Sequence, residues 1–417
     1  MSGTAPVVVV GAGAAGLLAA LFAARAGASV VLIERTKDGG RKILISGGGR
    51  CNILPSRAAP ERFVTASSPH SLHNILRSWP LAAQHAFFED ALGQRLVLEP
   101  DSGKWFPESQ RARDVRDALV SRVREAGARV WVDATVTGLA PPAAPDGVWT
   151  VDLRGAPPLG AAAVVLATGG LSVPATGSDG SGLAVARALG HAVHSTYPAL
   201  TPLTAVPAVH AHLAGVSLDV TIRAPGARPR FETTGGFLFT HRGYSGPAVL
   251  DASHLAVRSH LAGARQALAV QWCAWDSAAW ERMLRVGRGH VGTAVRRGLP
   301  ERLADQLLGE AAVPRDRPLA QLDRDARRRL VTLLTAYRLP WTGDEGYRKA
   351  EVTGGGIALG EVDPRTLESR RRPGLFLCGE MLDAFGPIGG HNFQWAWATG
   401  RAAGLGAAAS AARGVAP

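Results

Sequence analysis

Four valines, Val7 to Val10, run straight into Gly11-Ala12-Gly13-Ala14-Ala15-Gly16, and the apolar pattern then resumes with a different period. The valine run has the length and branching of a buried strand, Leu17 to Ala26 suits a helix stopping at Gly27, and Val30 to Glu34 reads as a second strand. Further on, Asp114 to Ala126 has the spacing of an amphipathic helix, while Arg129 to Asp133 and Val148 to Leu153 read as strands. Pro141-Pro142 and Pro145-Asp146-Gly147 supply the turn between those two strands, and Ala163 to Ala167 is a short buried strand ending in Thr168-Gly169-Gly170. From about His191 to Cys273 the texture changes to alternating strands such as Val216 to Ile222 and Gly236 to Thr240. Ala278 to Tyr337 is helical and arginine-rich, broken at Gly298-Leu299-Pro300 and Val313-Pro314-Arg315, and a glycine-rich style returns from about Glu351. The pattern predicts an α/β chain in which residues 1–190 and 346–417 form one domain, interrupted by a β-rich insert over 191–275 and a helical cap over 276–345.

A strand, a glycine turn and a helix together bring backbone N–H groups and a positive helix end up to a pyrophosphate, and only glycine lets the backbone come that close. Glu34, eighteen positions after Gly16, closes the second strand with a carboxylate suited to ribose hydroxyls. The stretch therefore reads as a socket for an adenine dinucleotide, with Gly11, Gly13, Ala14, Ala15, Gly16, Glu34 and Arg35 around it. Arg25 interrupts the long apolar run, which argues against a membrane span, and no basic segment precedes it as a secretory signal requires. A soluble, cytoplasmic protein is expected.

Composition adds limits. At 417 residues with 46% apolar content the chain is long enough for two or three cores. Cys51, Cys273 and Cys378 are odd in number, widely spaced and without a C-x-x-C, so neither a disulfide framework nor a metal site is expected. The net charge of +12 invites a nucleic-acid reading, but 42 of the 46 basic residues are arginines, and Arg327-Arg328-Arg329 lies in a helical stretch without interleaved aromatics. The excess reads as a preference spread over solvated faces, and a nucleic-acid partner is not expected.

Two more glycine clusters carry chemistry. Gly39-Gly40-Arg41-Lys42-Ile43-Leu44-Ile45-Ser46-Gly47-Gly48-Gly49-Arg50-Cys51-Asn52 combines backbone freedom with hydrogen-bond donors at Arg41, Lys42, Arg50 and Asn52. Gly374 to Glu380 reads as a strand ending in Gly379-Glu380, and Gly386-Pro387-Ile388-Gly389-Gly390-His391-Asn392 opens a further helix. That arrangement suits a flavin: Glu380 toward its ribityl chain, and the helix start at Gly390, His391 and Asn392 toward the N1/O2 edge of the ring.

Four stretches, GRKILISGGGRCN from Gly40, VVLATGG from Val164, FLFTHRGYSGPAVLD from Phe237 and GLFLCGEMLDAFGPIGGHNFQWAWATG from Gly374, resemble the bacterial NAD(P)/FAD-dependent oxidoreductases that include aminoacetone-oxidase-like and dehydro-bile-acid-reductase-like members. The resemblance spans nearly the whole chain. It implies a three-layer, Rossmann-like FAD domain interrupted by a β-barrel-like and a small helical insert, with FAD held noncovalently. It assigns Gly11, Gly13, Gly16 and Glu34 to the ADP half, and Arg41, Lys42, Gly48, Gly49, Thr168, Gly169, Gly170, Gly379, Glu380 and Gly390 to Asn392 to the pyrophosphate, ribityl and flavin region. Two departures stand out: Ile53-Leu54-Pro55 follows Asn52 where the family has Leu-Thr-Asn, and Gly180-Ser181-Gly182 replaces Gly-Asp-Gly, with Asp179 displaced.

The function expected is hydride transfer between flavin N5 and a small organic substrate of carbonyl, enone or amine class. With only one complete dinucleotide fingerprint, NAD(P)H would visit as a transient donor, or oxygen would close the cycle. His241 or Tyr244 are candidates to donate a proton to a substrate being reduced, against the plainer reading of His241 as structural. Cys51 is a candidate thiolate beside Arg50, against small-volume packing. Alternatives are an FAD-dependent tRNA-modifying enzyme using the basic surface, and a noncatalytic flavin redox sensor.

Overall fold

The computed structural model describes residues 5–144 and 147–413, so Pro145 and Asp146 of the expected turn lie outside the described residues. The chain divides into two compact units: residues 1–196 with 352–417, and residues 197–351.

The first unit is built on a five-stranded sheet in the order Leu375–Leu377, Ala163–Leu166, Val7–Val10, Val30–Ile33, Arg129–Trp131. Every neighbouring pair in it is parallel. A parallel sheet is covered on both faces, which is why its strands are unbroken apolar runs rather than alternating ones; Val7, Val8 and Val9 are fully buried. The helices Ala14–Arg25, Ala112–Glu125 and His391–Arg413 and an antiparallel meander of Val136–Ala140, Trp149–Leu153 and Ala156–Ala161 share this core.

The glycine-turn helix Ala14–Arg25 and the long helix His391–Arg413 touch backbone to backbone. A Cβ at Gly400 would stand 2.3 Å from the Ala15 carbonyl oxygen, and one at Gly404 would stand 2.3 Å from that of Ala19. Glycines four apart facing alanines four apart form a smooth seam, which fixes how far along its partner each helix lies.

In the second unit seven strands form one sheet, and all its pairings are antiparallel. Its outermost strands, Tyr337–Arg338 and Gly343–Asp344, are separated by only residues 339–342. That short link spans at most about 18 Å, whereas seven strands laid flat extend roughly 29 Å, so the sheet curls back on itself. No hydrogen-bonded pairing closes the ring among the described residues, so the β-barrel-like insert is a curled, open sheet. The stretches expected as separate insert and cap share one core, in which Trp272, just past the strand Ala269–Gln271, lies with Trp280, Leu303 and Leu330 of the helices. The β-rich stretch also holds a fifteen-residue helix, Pro247–Leu261, that the sequence reading passed over.

Gly404→Ala tests the helix seam. At an ordinary helix position alanine would stabilise by about 1 kcal/mol; here the clash is expected to lower stability by about 1–3 kcal/mol in a urea melt, and a stabilised variant would contradict the close approach.

Candidate functional site

The glycine turn is held from both ends. Gly11 donates to the Ile33 carbonyl at 2.8 Å, and Glu34, almost fully buried, accepts from the Ala12 N–H through Oε2 at 2.8 Å. Its other oxygen accepts from the Thr36 N–H and hydroxyl at 2.8 and 2.7 Å. A carboxylate has about four lone-pair positions, so Glu34 can brace the turn and still accept once more from a ribose.

Gly11 and Gly16 are demanded by the protein's own packing: a Cβ at Gly11 would lie 2.6 Å from the Ala167 oxygen, and one at Gly16 only 1.8 Å from that of Gly11. Gly13 differs, because its φ is ordinary and a Cβ there would meet no atom within 4 Å. It is also the N-cap of Ala14–Arg25 and provides no side-chain cap to the first N–H groups. A bare helix start with open space before it fits a dinucleotide pyrophosphate.

A second group lies where the strand Leu375–Leu377 ends. Gly379 is gripped by the long helix: its N–H donates to the Thr399 hydroxyl at 3.0 Å, and its carbonyl accepts from the Trp395 indole at 3.0 Å. Glu380 then joins four elements. Its Oε2 takes the Lys42 ammonium at 2.7 Å, and its Oε1 accepts from the Ser172 hydroxyl at 2.7 Å and the Thr353 N–H at 2.9 Å. Lys42 also reaches Ser172 Oγ at 2.6 Å, and Thr353 Oγ1 accepts from the Leu171 N–H at 2.7 Å. Gly170 has to be glycine here, since a Cβ would come 2.3 Å from Thr353 Oγ1.

The long helix opens at His391. The ring is almost fully buried beside Phe63, and neither nitrogen makes a hydrogen bond of normal geometry. Burial, helped by nearby Arg62 and opposed by the Pro387 carbonyl, pushes its pKa down to about 4, so it is neutral at pH 7. A buried imidazole with no hydrogen bond of normal geometry, at a helix start reached through Gly389 and Gly390, both in left-handed conformations, fits polar atoms of a flavin ring. The Ile53-Leu54-Pro55 departure lies against this end: a Cβ at Gly390 would stand 2.5 Å from the Leu54 carbonyl carbon, and Ile53 accepts from the Trp397 indole at 3.1 Å.

Other expected ligands are used internally. Arg50 stacks over Phe106 at 4.1 Å and reaches Glu99 at 3.0 Å, so its guanidinium braces its own loop. Arg41 pairs with Asp38 at 2.8 Å, and the Asn392 amide clamps both backbone groups of Gly386 at 2.9 and 3.0 Å. Thr168 donates to the Met381 sulfur at 3.3 Å, beside the left-handed Gly169. Arg35 is ion-paired with the displaced Asp179, which gives that aspartate a partner in place of the family's arrangement. Gly47, Gly48, Gly49 and Cys51 all take left-handed backbone, and a Cβ at Gly48 would meet nothing within 4 Å.

The three catalytic candidates fall in different surroundings. Cys51 is fully buried, and that burial, only partly offset by Ser46, pushes its thiol up to about 12; it is a packed thiol at neutral pH, not a thiolate. Tyr244 is fully buried in the second unit with its hydroxyl 2.9 Å from His210 Nδ1, which removes it from any surface where it could meet a substrate. His241 alone is exposed. Sequence reasoning missed Ser172 and Thr353; the run Thr353-Gly354-Gly355-Gly356, whose last two glycines have positive φ, was the available signal.

The parallel sheet and the glycine turn at a helix start have the form of a dinucleotide-binding fold, and the family and relatives that follow make the chain an FAD-binding flavoprotein oxidoreductase. The chain belongs to the family described as HI0933-like protein Rossmann domain, which matches residues 5–406. It is 34% identical to the ribosomal RNA dihydrouridine synthase of Escherichia coli, over 94% of this chain and 95% of that protein. It is 32% identical to the 3-dehydro-bile acid delta(4,6)-reductase of Clostridium scindens, over 96% and 98%. A ribosomal RNA dihydrouridine synthase of Haemophilus influenzae is 30% identical over 95% and 97%. Among solved structures, the 3-ketosteroid-delta4-(5alpha)-dehydrogenase of Rhodococcus jostii shares the fold with a TM-score of 0.52 at 16% identity, covering 97% of this chain and 96% of that one. No helix of the described residues is long and apolar enough to cross a membrane.

His391 predicts a pH response. The folded ring titrates near 4 and a free one near 6.5, so below pH 6.5 the unfolded state takes up a proton that the folded state refuses. Stability therefore falls as pH drops from 6.5 toward 4, by about 3 kcal/mol from this residue. Urea melts across that range are expected to show a shallower pH slope for His391→Asn than for the unaltered protein, and equal slopes would contradict the burial.

Proposed function

We propose that the chain is an FAD-dependent reductase of a carbon–carbon double bond conjugated to a carbonyl, and that it acts on a uridine of ribosomal RNA. The observation that carries this is the chemistry shared by the relatives' names. Dihydrouridine is uridine with its C5–C6 bond saturated, and that bond is conjugated to the C4 carbonyl. The Δ4,6 bonds of a 3-dehydro bile acid are conjugated to the C3 carbonyl in the same way. Two of the three relatives named above act on ribosomal RNA, and on that ground the expectation of no nucleic-acid partner gives way; the charge expected to be spread over solvated faces is also weighted toward one unit. Residues 197–351 carry 21 Lys and Arg against 14 Asp and Glu, so this unit holds +7 of the chain's +12. The expectation of a small-molecule substrate remains the second reading, favoured by the bile-acid reductase relative.

The electron balance is one hydride and one proton added across the double bond, with NAD(P)H, visiting transiently, as the proposed source of the hydride. Bound FAD supplies hydride transfer at its ring N5. The chain's own residues hold and aim: the Gly11 to Gly16 turn and its helix start would take the pyrophosphate, with Glu34 bracing the turn. The Lys42–Glu380–Ser172 cluster would face the ribityl chain, and neutral His391 with the helix start would meet the N1/O2 edge. His241, which is exposed, is the proposed proton donor to the substrate carbon next to the carbonyl.

The test is anaerobic incubation of the reduced protein with unmodified ribosomal RNA and, separately, with a Δ4,6-3-keto bile acid, followed by mass spectrometry. Uridine gaining two hydrogens is the expected result; reduction of the steroid alone would overturn the RNA substrate in favour of the second reading. His241→Ala is expected to lower turnover on the order of 100-fold with FAD content unchanged. If that variant instead lost its flavin on purification, the residue would be structural.

A further inference from the structure

The first unit carries a cleft of about 580 Å³ on the flank of the long helix, away from the helix's His391 end. Arg77, Arg365 and Arg401 line it, with Asn74, Ser78 and Thr366 as further hydrogen-bonding groups, and no carboxylate is among its lining residues. Three positive charges sharing a cleft repel one another, so the absence of a counter-charge is informative. Arg77 and Arg365 are exposed, and neither guanidinium makes an ion pair or hydrogen bond to another described residue. The nearest acid in sequence, Asp363, does not neutralise Arg365: its Oδ1 accepts the Arg365 and Thr366 backbone N–H groups at 2.8 and 3.3 Å, and its Oδ2 lies 4.0 Å from Arg370. Arg401 is fixed in place, with its guanidinium 5.4 Å from both the Phe22 and Trp79 ring centres and an N–H donated to the Ser78 carbonyl at 3.4 Å. Its burial without a carboxylate pulls its pKa below the ordinary guanidinium value.

We infer that this cleft binds phosphates of the RNA backbone, so that the chain grips its substrate at a point separate from the reacting base. Planar guanidiniums bind phosphate oxygens bidentately, and the amide and hydroxyls beside them add donors for sugar and phosphate oxygens. Arg401 lies ten residues along the helix from His391, about 15 Å, a distance that corresponds to several nucleotides and not to one nucleoside. Such a contact positions the RNA without reading its sequence. The inference rests on the RNA reading proposed above and adds where on this chain the backbone is held.

The test measures binding of a fluorescein-labelled single-stranded RNA oligonucleotide to the FAD-loaded protein by anisotropy over a range of salt concentrations. Arg77→Gln combined with Arg365→Gln removes two charges that brace nothing else, and leaves Arg401 on its aromatic rings. The double variant is expected to keep its flavin spectrum, to bind RNA on the order of tenfold more weakly, and to lose about 1.4 units from the slope of log affinity against log salt. Equal affinity and slope in the two proteins would overturn the cleft assignment while leaving RNA as substrate. Failure of the unaltered protein to bind RNA would remove the RNA reading itself and the assignment with it. RNA displaced by excess NADPH, with NADPH binding lost in the double variant, would assign the cleft to the dinucleotide phosphate and overturn the assignment to RNA.

Discussion

The first unit depends on the backbone contact between the glycine-turn helix Ala14–Arg25 and the long helix His391–Arg413. Gly400 and Gly404 admit no Cβ against Ala15 and Ala19, and this sets one helix along the other at a single register. The consequences run outward from it. Trp395 and Thr399, which precede Gly400 on the same helix, hold both backbone groups of Gly379. That grip aims Glu380 at Lys42, Ser172 and Thr353, and the same helix brings His391 to the far end of the seam. Segments more than 300 residues apart in sequence, at Lys42 and Glu380, thereby meet within hydrogen-bond distance.

This arrangement divides the work between packing and ligand. Gly11, Gly16, Gly170 and Gly390 are glycines because protein atoms occupy the space a Cβ would need, so they build the cradle. Gly13 and Gly48 have no such neighbour, and His391 is buried with no hydrogen bond of normal geometry, so packing within the protein does not explain these positions. A buried polar ring is costly unless something satisfies it. Bound FAD would account for both sets at once, with its pyrophosphate at the bare helix start and a polar ring edge at His391, as proposed above.

Much of this was legible in the amino-acid order, for a physical reason. The parallel strands are continuous apolar runs, and the glycine turn has fixed spacing, so Val7–Val10, Ala14–Arg25 and Val30–Ile33 appear where the pattern puts them, to within a few residues. The polar cluster was only half visible. Lys42 and Glu380 sit in glycine motifs, but Ser172 and Thr353 are hydroxyls with no distinctive spacing, and only the fold unites them. Arg50 shows the opposite case: a donor beside three glycines reads as a ligand, yet its guanidinium is engaged by Glu99 and Phe106. The helix Pro247–Leu261 was lost among β-rich neighbours, although Ala248, Val249, Ala252, Ala256 and Val257 are buried at helical spacing.

Saturation of a uridine in ribosomal RNA is the task proposed for this flavin socket. The direct measurement is nucleoside mass spectrometry of ribosomal RNA from cells with and without this chain. Loss of dihydrouridine from one site when the chain is removed, and its return when the unaltered protein is supplied but not when Gly13→Val is supplied, is the result expected. Unchanged dihydrouridine in cells lacking the chain would contradict it.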